Sequence, residues 1–397
     1  MKLSCERKEA LQKGFQAAFG GAPTRYFSAP GRTELSGNHT DHQHGQVLAA
    51  AVNLDMQAAV RENGTDTIRV LSQGYPLCQV SLKELTPKKE EINTTAALIR
   101  GVAARFAALG CPVAGFDAYM ESTVLPGSGL SSSAAFEVLM GTVINGLFFD
   151  GRVSQPEIAM IGQYAESVFF GKPCGLMDQM ASAVGGMVHI DFQDPQTPVI
   201  SKVDFDFAAC GHALCIIDTR ASHADLTDEY AAVPGEMKKL CNYFGKAVLR
   251  DVDEAAFYRE LPQLRRLCGD RAVMRGVHFF KENARVPMQV EAIQTGDFDR
   301  YLQLMRESGY SSYMYLQNVI PAGYKENQDV AVALALCDRY LGGRGGFRVH
   351  GGGFAGTVQA FVPLDMLEAF QKGIEEALGD GACHVLTIRN DGGIEVF

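Results

Sequence analysis

Three clusters in this chain combine residue types that could do chemistry at a single site. The first is Leu125-Pro-Gly-Ser-Gly-Leu-Ser-Ser-Ser-Ala-Ala135. Its glycines let the backbone approach a ligand closely, and it runs into a helical pattern whose first amides lack partners within the helix. Those amides and the helix dipole suit a bound anion. Gly127, Ser128, Gly129, Leu130, Ser131, Ser132 and Ser133 are therefore candidate contacts for a triphosphate, and the serine hydroxyls can cap amides or reach a metal ion. The plain alternative is a helix N-cap after a tight turn. A dinucleotide fingerprint would require glycine at Ser132. A Walker A loop would require an upstream glycine and a following hydroxyl, which neither Gly171-Lys172 nor Gly245-Lys246 has.

The second cluster, Ala29-Pro-Gly-Arg-Thr-Glu-Leu-Ser-Gly-Asn-His-Thr-Asp-His-Gln-His-Gly45, is too polar for an ordinary core and predicts a functional or solvated loop between two strands. Its run of His39, Asp41, His42 and His44 suggests metal. However, the H-x-H-x-D-H pattern of metal-dependent hydrolases needs histidine where Gly37 stands, and no second His/Cys cluster offers further ligands. Directional donors and acceptors of this kind suit a ring of sugar hydroxyls better. The third cluster, Arg348-Val-His-Gly-Gly-Gly-Phe-Ala-Gly-Thr357, formally satisfies G-x-G-x-x-G, but strand-like Thr357-Val-Gln-Ala-Phe-Val362 follows instead of a helix. A glycine hairpin beside a ligand and a plain tight turn both remain open for it.

The elements that must position these clusters alternate between helix and strand. Helices are predicted over 5–19, 94–109, from Ser131 onward, over 155–169, and near 226–246, 270–294, 296–310 and 325–340. Strands are predicted over 46–60, 66–72, 116–124 and Met187 to Asp191, with a strand–turn–strand around Gly351 to Val362, then a helix and a last β pair ending at Phe397. The polar patch QDPQTP after residue 192 suggests a division into domains at 1–199 and 200–397, each α+β.

The chain has 397 residues, 47% of them hydrophobic, and a net charge of −10. That excess of acid argues against a nucleic-acid partner, whose backbone demands a basic face. No apolar run reaches membrane-spanning length, and the opening MKLSCERKEALQKGF lacks a signal-peptide core. The ten cysteines are scattered without a C-x-x-C pair, so reduced thiols and a cytoplasmic location are the expectation. The expected partners are small molecules, and a monomer is expected.

Taken together and in this order, the motifs resemble those of the GHMP kinases, and within them the galactokinases. Gly31-Arg-Thr-Glu-Leu-Ser-Gly-Asn-His-Thr-Asp-His42 is similar to the family's G-R-x-N-L-x-G-E-H-T-D-Y. Gly127 to Ala134 repeats G-S-G-L-S-S-S-A without change. Ala165-Glu166-Ser167 with Gly171-Lys-Pro-Cys-Gly-Leu-Met-Asp-Gln179 matches the A-E-H/S…G-x-P-C-G-x-M-D-Q segment, and Gly351 to Gly356 the G-G-G-F-x-G motif. The resemblance implies a ribosomal-protein-like N-terminal domain, a ferredoxin-like C-terminal domain, and ATP-dependent phosphorylation of an anomeric hydroxyl in the cleft between them. It implies Asp178 as the catalytic carboxylate and Arg32 as its cationic partner. Ser133 and Glu166 would hold Mg²⁺, and Ser72 would touch the nucleotide. His39, Thr40, Asp41, Gly175 and Tyr230 would line the sugar.

This division of labour suits phosphoryl transfer, whose loose transition state asks the protein mainly to position groups and neutralise charge. A carboxylate can take the hydroxyl proton while a nearby arginine keeps it ionised. Without that role, Asp178 would be a helix cap and Glu166 part of a solvated helix face. Departures from the family pattern stand at Glu34, where the family has Asn, at His42, at Ala355, and at Asn38, where the family has a Glu that accepts from the C6 end of the sugar. Asn38 is accordingly expected to face C6, with galactose as the acceptor. A 1-kinase for a related sugar such as a uronic acid is the alternative. A non-catalytic sugar and ATP sensor would be expected to lack one of Asp178, Arg32, Ser133 or Glu166, all of which are present.

Overall fold

The computed structural model describes residues 4–124, 129–172, 174–205, 209–221 and 226–396. Its N-terminal half is built on an eight-stranded sheet. The framework is the antiparallel pair β1 (Arg25–Ser36) and β2 (Gln46–Glu62). β2 is long enough to serve two neighbours on the same side. Its first half pairs with β6 (Met187–Asp191), which carries β7 (Val199–Lys202), and its second half pairs with β5 (Phe116–Ser122). Beyond β5 lie β3 (Thr67–Ser72), in parallel, and β4 (Cys78–Ser81).

Helix α1 (Cys5–Phe19) seals one face of this sheet with Leu11 and Phe15. The other face takes α2 (Thr95–Ala108), α3 (Ser132–Phe148), α4 (Gln155–Tyr164) and α5 (Met177–Val184). α3 is buried without interruption from Ala134 to Asn145, as expected of a helix that is apolar all round and enclosed by neighbours. α4 starts at a capping box, Ser154 with Glu157. It then widens into a π-helical turn, Ala165–Phe170, that carries Glu166 and ends at Gly171 in the left-handed region.

The C-terminal half begins with β8 (His212–Asp218) and then runs through helices α6 (Thr227–Tyr243), α7 (Glu254–Arg259), α8 (Leu261–Cys268), α9 (Asp270–Gln294), α10 (Phe298–Ser311) and α11 (Asp329–Leu341). It closes with β9 (Gly346–His350), β10 (Thr357–Pro363), α12 (Leu367–Leu378), β11 (Cys383–Leu386) and β12 (Ile394–Val396). The sheet order β11-β8-β10-β9, all antiparallel, is that of a split βαβ, ferredoxin-like unit. α11 and α12 supply its apolar cover through Ala333, Cys337, Phe370 and Ile374.

Two sequence expectations need correction. The final strands do not pair with each other: β11 joins β8, while β12 crosses back to extend the N-terminal sheet beside β1. Alternation within each short strand gives no information about such a distant partner. The polar cluster 29–45 is also not simply a loop. Residues 29–36 are the second half of β1 and are buried, including Arg32, Thr33, Glu34 and Ser36. They tolerate burial because each is hydrogen-bonded, Arg32 to Asp178 and Thr33, Glu34 and Ser36 to residues of the C-terminal half.

Candidate active site

The N-terminus of α3, the N-terminus of α5, the middle of β1 and the π-helical turn meet at one end of the cleft. Arg32 grips Asp178 with a bidentate fork, Nε to Oδ1 at 2.6 Å and Nη2 to Oδ2 at 2.6 Å. Its backbone amide donates to the Leu130 carbonyl at 3.0 Å, and its Nη1 donates to the Gly129 carbonyl. One arginine thus fixes both the carboxylate and the end of the glycine–serine loop. Gly127 and Ser128 lie outside the described residues.

Asp178 occupies the first turn of α5, where the helix dipole favours negative charge, and its side chain keeps 30% of its surface exposed. Burial pushes its carboxyl up. Arg32, a hydrogen bond from Ser131 and the charge of Lys172 outweigh that push and hold it below the usual carboxylate range. Ser131 is the N-cap residue of α3, yet it adopts a left-handed φ of 54° and makes no side-chain cap bond. Its hydroxyl is turned to Asp178 instead, leaving the helix N-terminus uncapped by its own serine. Such strain in a β-hydroxy residue is typical of positions held for function.

Ser133 Oγ lies 3.4 Å from Glu166 Oε1, which Lys172 Nζ also approaches at 3.4 Å. The other oxygen of Glu166 shares Gln179 Nε2 with Glu137, both at 2.9 Å. Glu137 is fully buried, and its second oxygen has no hydrogen-bond partner among the described residues. Burial and then the nearby Glu166 charge drive its carboxyl well above the ordinary range. Ser133 and Glu166 offer oxygen ligands of the kind Mg²⁺ takes alongside phosphates and water, so the residues present fit that ion. Ser72 stands at the end of β3, where its carbonyl accepts from Tyr75 at 3.0 Å, and among the described residues no hydrogen bond ties it to this cluster.

The other end of the cleft is formed by residues 37–45 and the turn 351–356. Asp41 and Gly175 come into such close contact that a Cβ on Gly175 would sit 1.7 Å from Asp41 Oδ2. Only glycine permits that approach. Burial, followed by the charge of Asp178, raises the Asp41 carboxyl to about 6. Asp178 and Asp41 therefore lie close enough for their charges to interact. His39, with φ 57°, donates Nε2 to the Gly352 carbonyl at 3.0 Å, and burial lowers its pKa to about 4, so it is neutral. Thr40 uses its hydroxyl inside the loop, on the Gly37 and Gln46 carbonyls. Tyr230 donates to the Gly353 carbonyl at 2.8 Å and sets its ring edge-on to Phe354.

His350 and Thr357, either side of that turn, abut Gly129, where an added Cβ would lie 3.0 and 2.9 Å from them. The third cluster is therefore a hairpin turn that touches both of the others. Burial lowers the His42 pKa to about 3, and its Nε2 has no hydrogen-bond partner among the described residues. Among the described residues no group of three or more His, Cys, Asp or Glu could hold a metal ion.

Several residues of this site left no motif in the sequence. Glu282 of α9 accepts from the Gly37 and Asn38 amides at 3.1 and 3.4 Å and from Ser308 at 2.7 Å. His278 donates Nε2 to the Asn38 carbonyl at 2.9 Å, and Gln289 accepts from Ser36. His278, Glu282 and Gln289 recur at helical spacing on one side of α9 and are all buried.

A model described as the galactokinase galactose-binding signature matches residues 13–62, and the GHMP kinases N-terminal domain matches residues 97–186. The chain is 32% identical over 371 residues to a galactokinase of Glaesserella parasuis serovar 5 (strain SH0165), covering 93% of both chains. Among solved structures, Lactococcus lactis galactokinase complexed with galactose superposes with a TM-score of 0.83 at 23% identity, over 97% of this chain and 98% of that one. Methanococcus jannaschii mevalonate kinase follows the same fold at a TM-score of 0.66 and 15% identity, over 93% and 99%. The fold is that of the GHMP kinases, and the chain belongs to the galactokinase family.

Proposed function

We propose that this sugar kinase transfers the γ-phosphoryl group of ATP to the anomeric hydroxyl of galactose, giving galactose 1-phosphate and ADP. The observation that carries this reading is the Arg32–Asp178 fork, placed between the N-terminus of α3 and the Asp41–Gly175 contact. A sugar held by Asp41 and His39 would present O1 to Asp178, which is ionised at neutral pH and can accept the proton. Arg32 orients that carboxylate and adds positive charge beside the transferring group. Gly129 to Ser133 would receive the phosphates, with Gly127, Ser128 and Ser72 as further contacts. Ser133 and Glu166 would hold Mg²⁺, which supplies charge neutralisation on the phosphate oxygens. Lys172, paired with Glu166, is a further cation at that end.

Tyr230 acts at the sugar end through the Gly353 carbonyl, and Thr40 by closing the loop that carries His39 and Asp41. No helix is long and apolar enough to cross a membrane among the described residues, and a cytoplasmic monomer is the proposed state. ADP release with Mg-ATP, measured across galactose, glucose, galactosamine, arabinose, galacturonate and glucuronate, tests the reading. Galactose should lead. A clear preference for a uronate would make the enzyme a uronic-acid 1-kinase, and no release with any sugar would favour a sensor.

A further inference from the structure

Asn38 is 1% exposed, and its side chain is fully occupied by the protein. Nδ2 donates to Glu34 Oε1 at 3.0 Å and to the Gly351 carbonyl at 2.6 Å. Oδ1 accepts from Ser312 Oγ at 3.3 Å and from Asn318 Nδ2 at 2.9 Å. An amide has two donors and two lone pairs, so nothing remains for a ligand. Its main chain is equally committed, to Glu282 through N–H and to His278 through C=O.

The partners of these groups form a pattern. Three successive carbonyls of the glycine turn are each held by a side chain: Gly351 by Asn38, Gly352 by His39 and Asn318, and Gly353 by Tyr230. Two of those four side chains come from the sugar loop and two from the C-terminal half. Glu34, the other partner of Asn38 Nδ2, is buried against Arg348, which also reaches Ser308 and lies 3.7 Å from Glu282. A side chain at 38 must therefore give one hydrogen to a carbonyl and one to a carboxylate. Asn can do both, whereas a carboxylate has no hydrogen to give and would crowd the buried Glu34 carboxyl, which desolvation already pushes up to about 7.

We infer that Glu34 and Asn38 form a mutually dependent pin that fastens the 351–353 turn to the sugar loop, so that Asn38 is a positioning residue for the sugar pocket and not a sugar ligand. This rests on the proposed sugar site, and it reverses the expectation that Asn38 faces C6. Residue 38 can become a carboxylate only if residue 34 ceases to be one.

The test is a double-mutant cycle of Asn38→Glu, Glu34→Gln and the pair, read by thermal unfolding and by steady-state kinetics with galactose, galacturonate and ATP. Asn38→Glu should lower the melting midpoint by roughly 3 °C or more. It should reduce kcat/KM for both sugars in parallel, by about 30-fold or more, with KM for ATP little changed. The pair should recover a substantial part of both losses, so that the two substitutions are non-additive. Asn38→Asp, similar in shape but without the two donors, should fall on the same side as Asn38→Glu.

The inference is overturned if Asn38→Glu melts like wild type and shifts the galactose-to-galacturonate ratio by about tenfold or more, because the side chain then meets the sugar. It is equally overturned if the effects simply add. Failure of the wild type to phosphorylate any sugar would instead remove the proposed function, while the unfolding arm would still read the pin.

Discussion

The two ends of the cleft differ in how their charges are balanced. Around Asn38 each buried carboxylate has its own guanidinium, Glu34 with Arg348 and Glu282 with Arg285. Around Asp178 the carboxylates outnumber their partners: Glu137 and Glu166 share one amide nitrogen, and with Asp178 they have Arg32 and Lys172 as the cations at hand. Charge is balanced within the protein around Asn38, whereas around Asp178 an excess of carboxylate is left to be met by a cation. Substitutions at the first should cost stability along with activity, because they break a buried, hydrogen-bonded network. Those at the second should cost turnover while leaving the fold intact.

The largest effect is expected at Asp178. Asp178→Asn keeps the shape but removes the proton acceptor and half of the fork with Arg32. It should lower kcat by about 100-fold or more while sugar and nucleotide binding, and the melting temperature, change little. Near-normal turnover in a rapid-quench assay would remove Asp178 from the chemistry.

Gly175→Ala comes next. Its Cβ would collide with Asp41, so KM for the sugar should rise about tenfold or more with KM for ATP unchanged. A rise in KM for ATP alone would place this contact at the wrong end. Ser133→Ala and Glu166→Gln should each raise the Mg²⁺ concentration needed for half-maximal velocity, by roughly three- to tenfold. A loss confined to sugar KM would dissociate both residues from the ion.

The smallest effect is a shift in pH dependence. Asp41, raised to about 6, should protonate first as pH falls, so kcat/KM for the sugar should decline below about pH 6. Asp178 is depressed and stays ionised through that window, so kcat should hold to lower pH. The two limbs should therefore separate, whereas coincident limbs would mean that one carboxylate governs both.

Much of this was legible in the sequence because the chemistry there depends on local backbone. Helices such as α1 and α9, found at Cys5–Phe19 and Asp270–Gln294, follow from turn residues and period alone, whereas Asp178 and Gly175 stand out only through the family resemblance. What the sequence obscured depends on distant partners. A polar stretch such as Arg32-Thr-Glu34 reads as solvated unless Arg348, His350 and Gln359 are known to cover it. The helical stripe of His278, Glu282 and Gln289 reads as a wet face for the same reason. Glu34 and Asn38 register as two independent departures from the family pattern, although four residues apart they touch, so an amide and a carboxylate have in effect changed places. Single-position comparison assigned Asn38 a ligand role that its hydrogen bonds leave no capacity for.

Phosphorus NMR of the reaction mixture can follow transfer of the γ-phosphoryl group of ATP to the anomeric oxygen of galactose and its dependence on Asp178. Wild type with Mg-ATP and galactose should yield galactose 1-phosphate and ADP in equal amounts, and Asp178→Asn should yield neither at a comparable rate. Phosphate on any other hydroxyl, or ADP released without a sugar phosphate, would rule out transfer to the anomeric oxygen at this site.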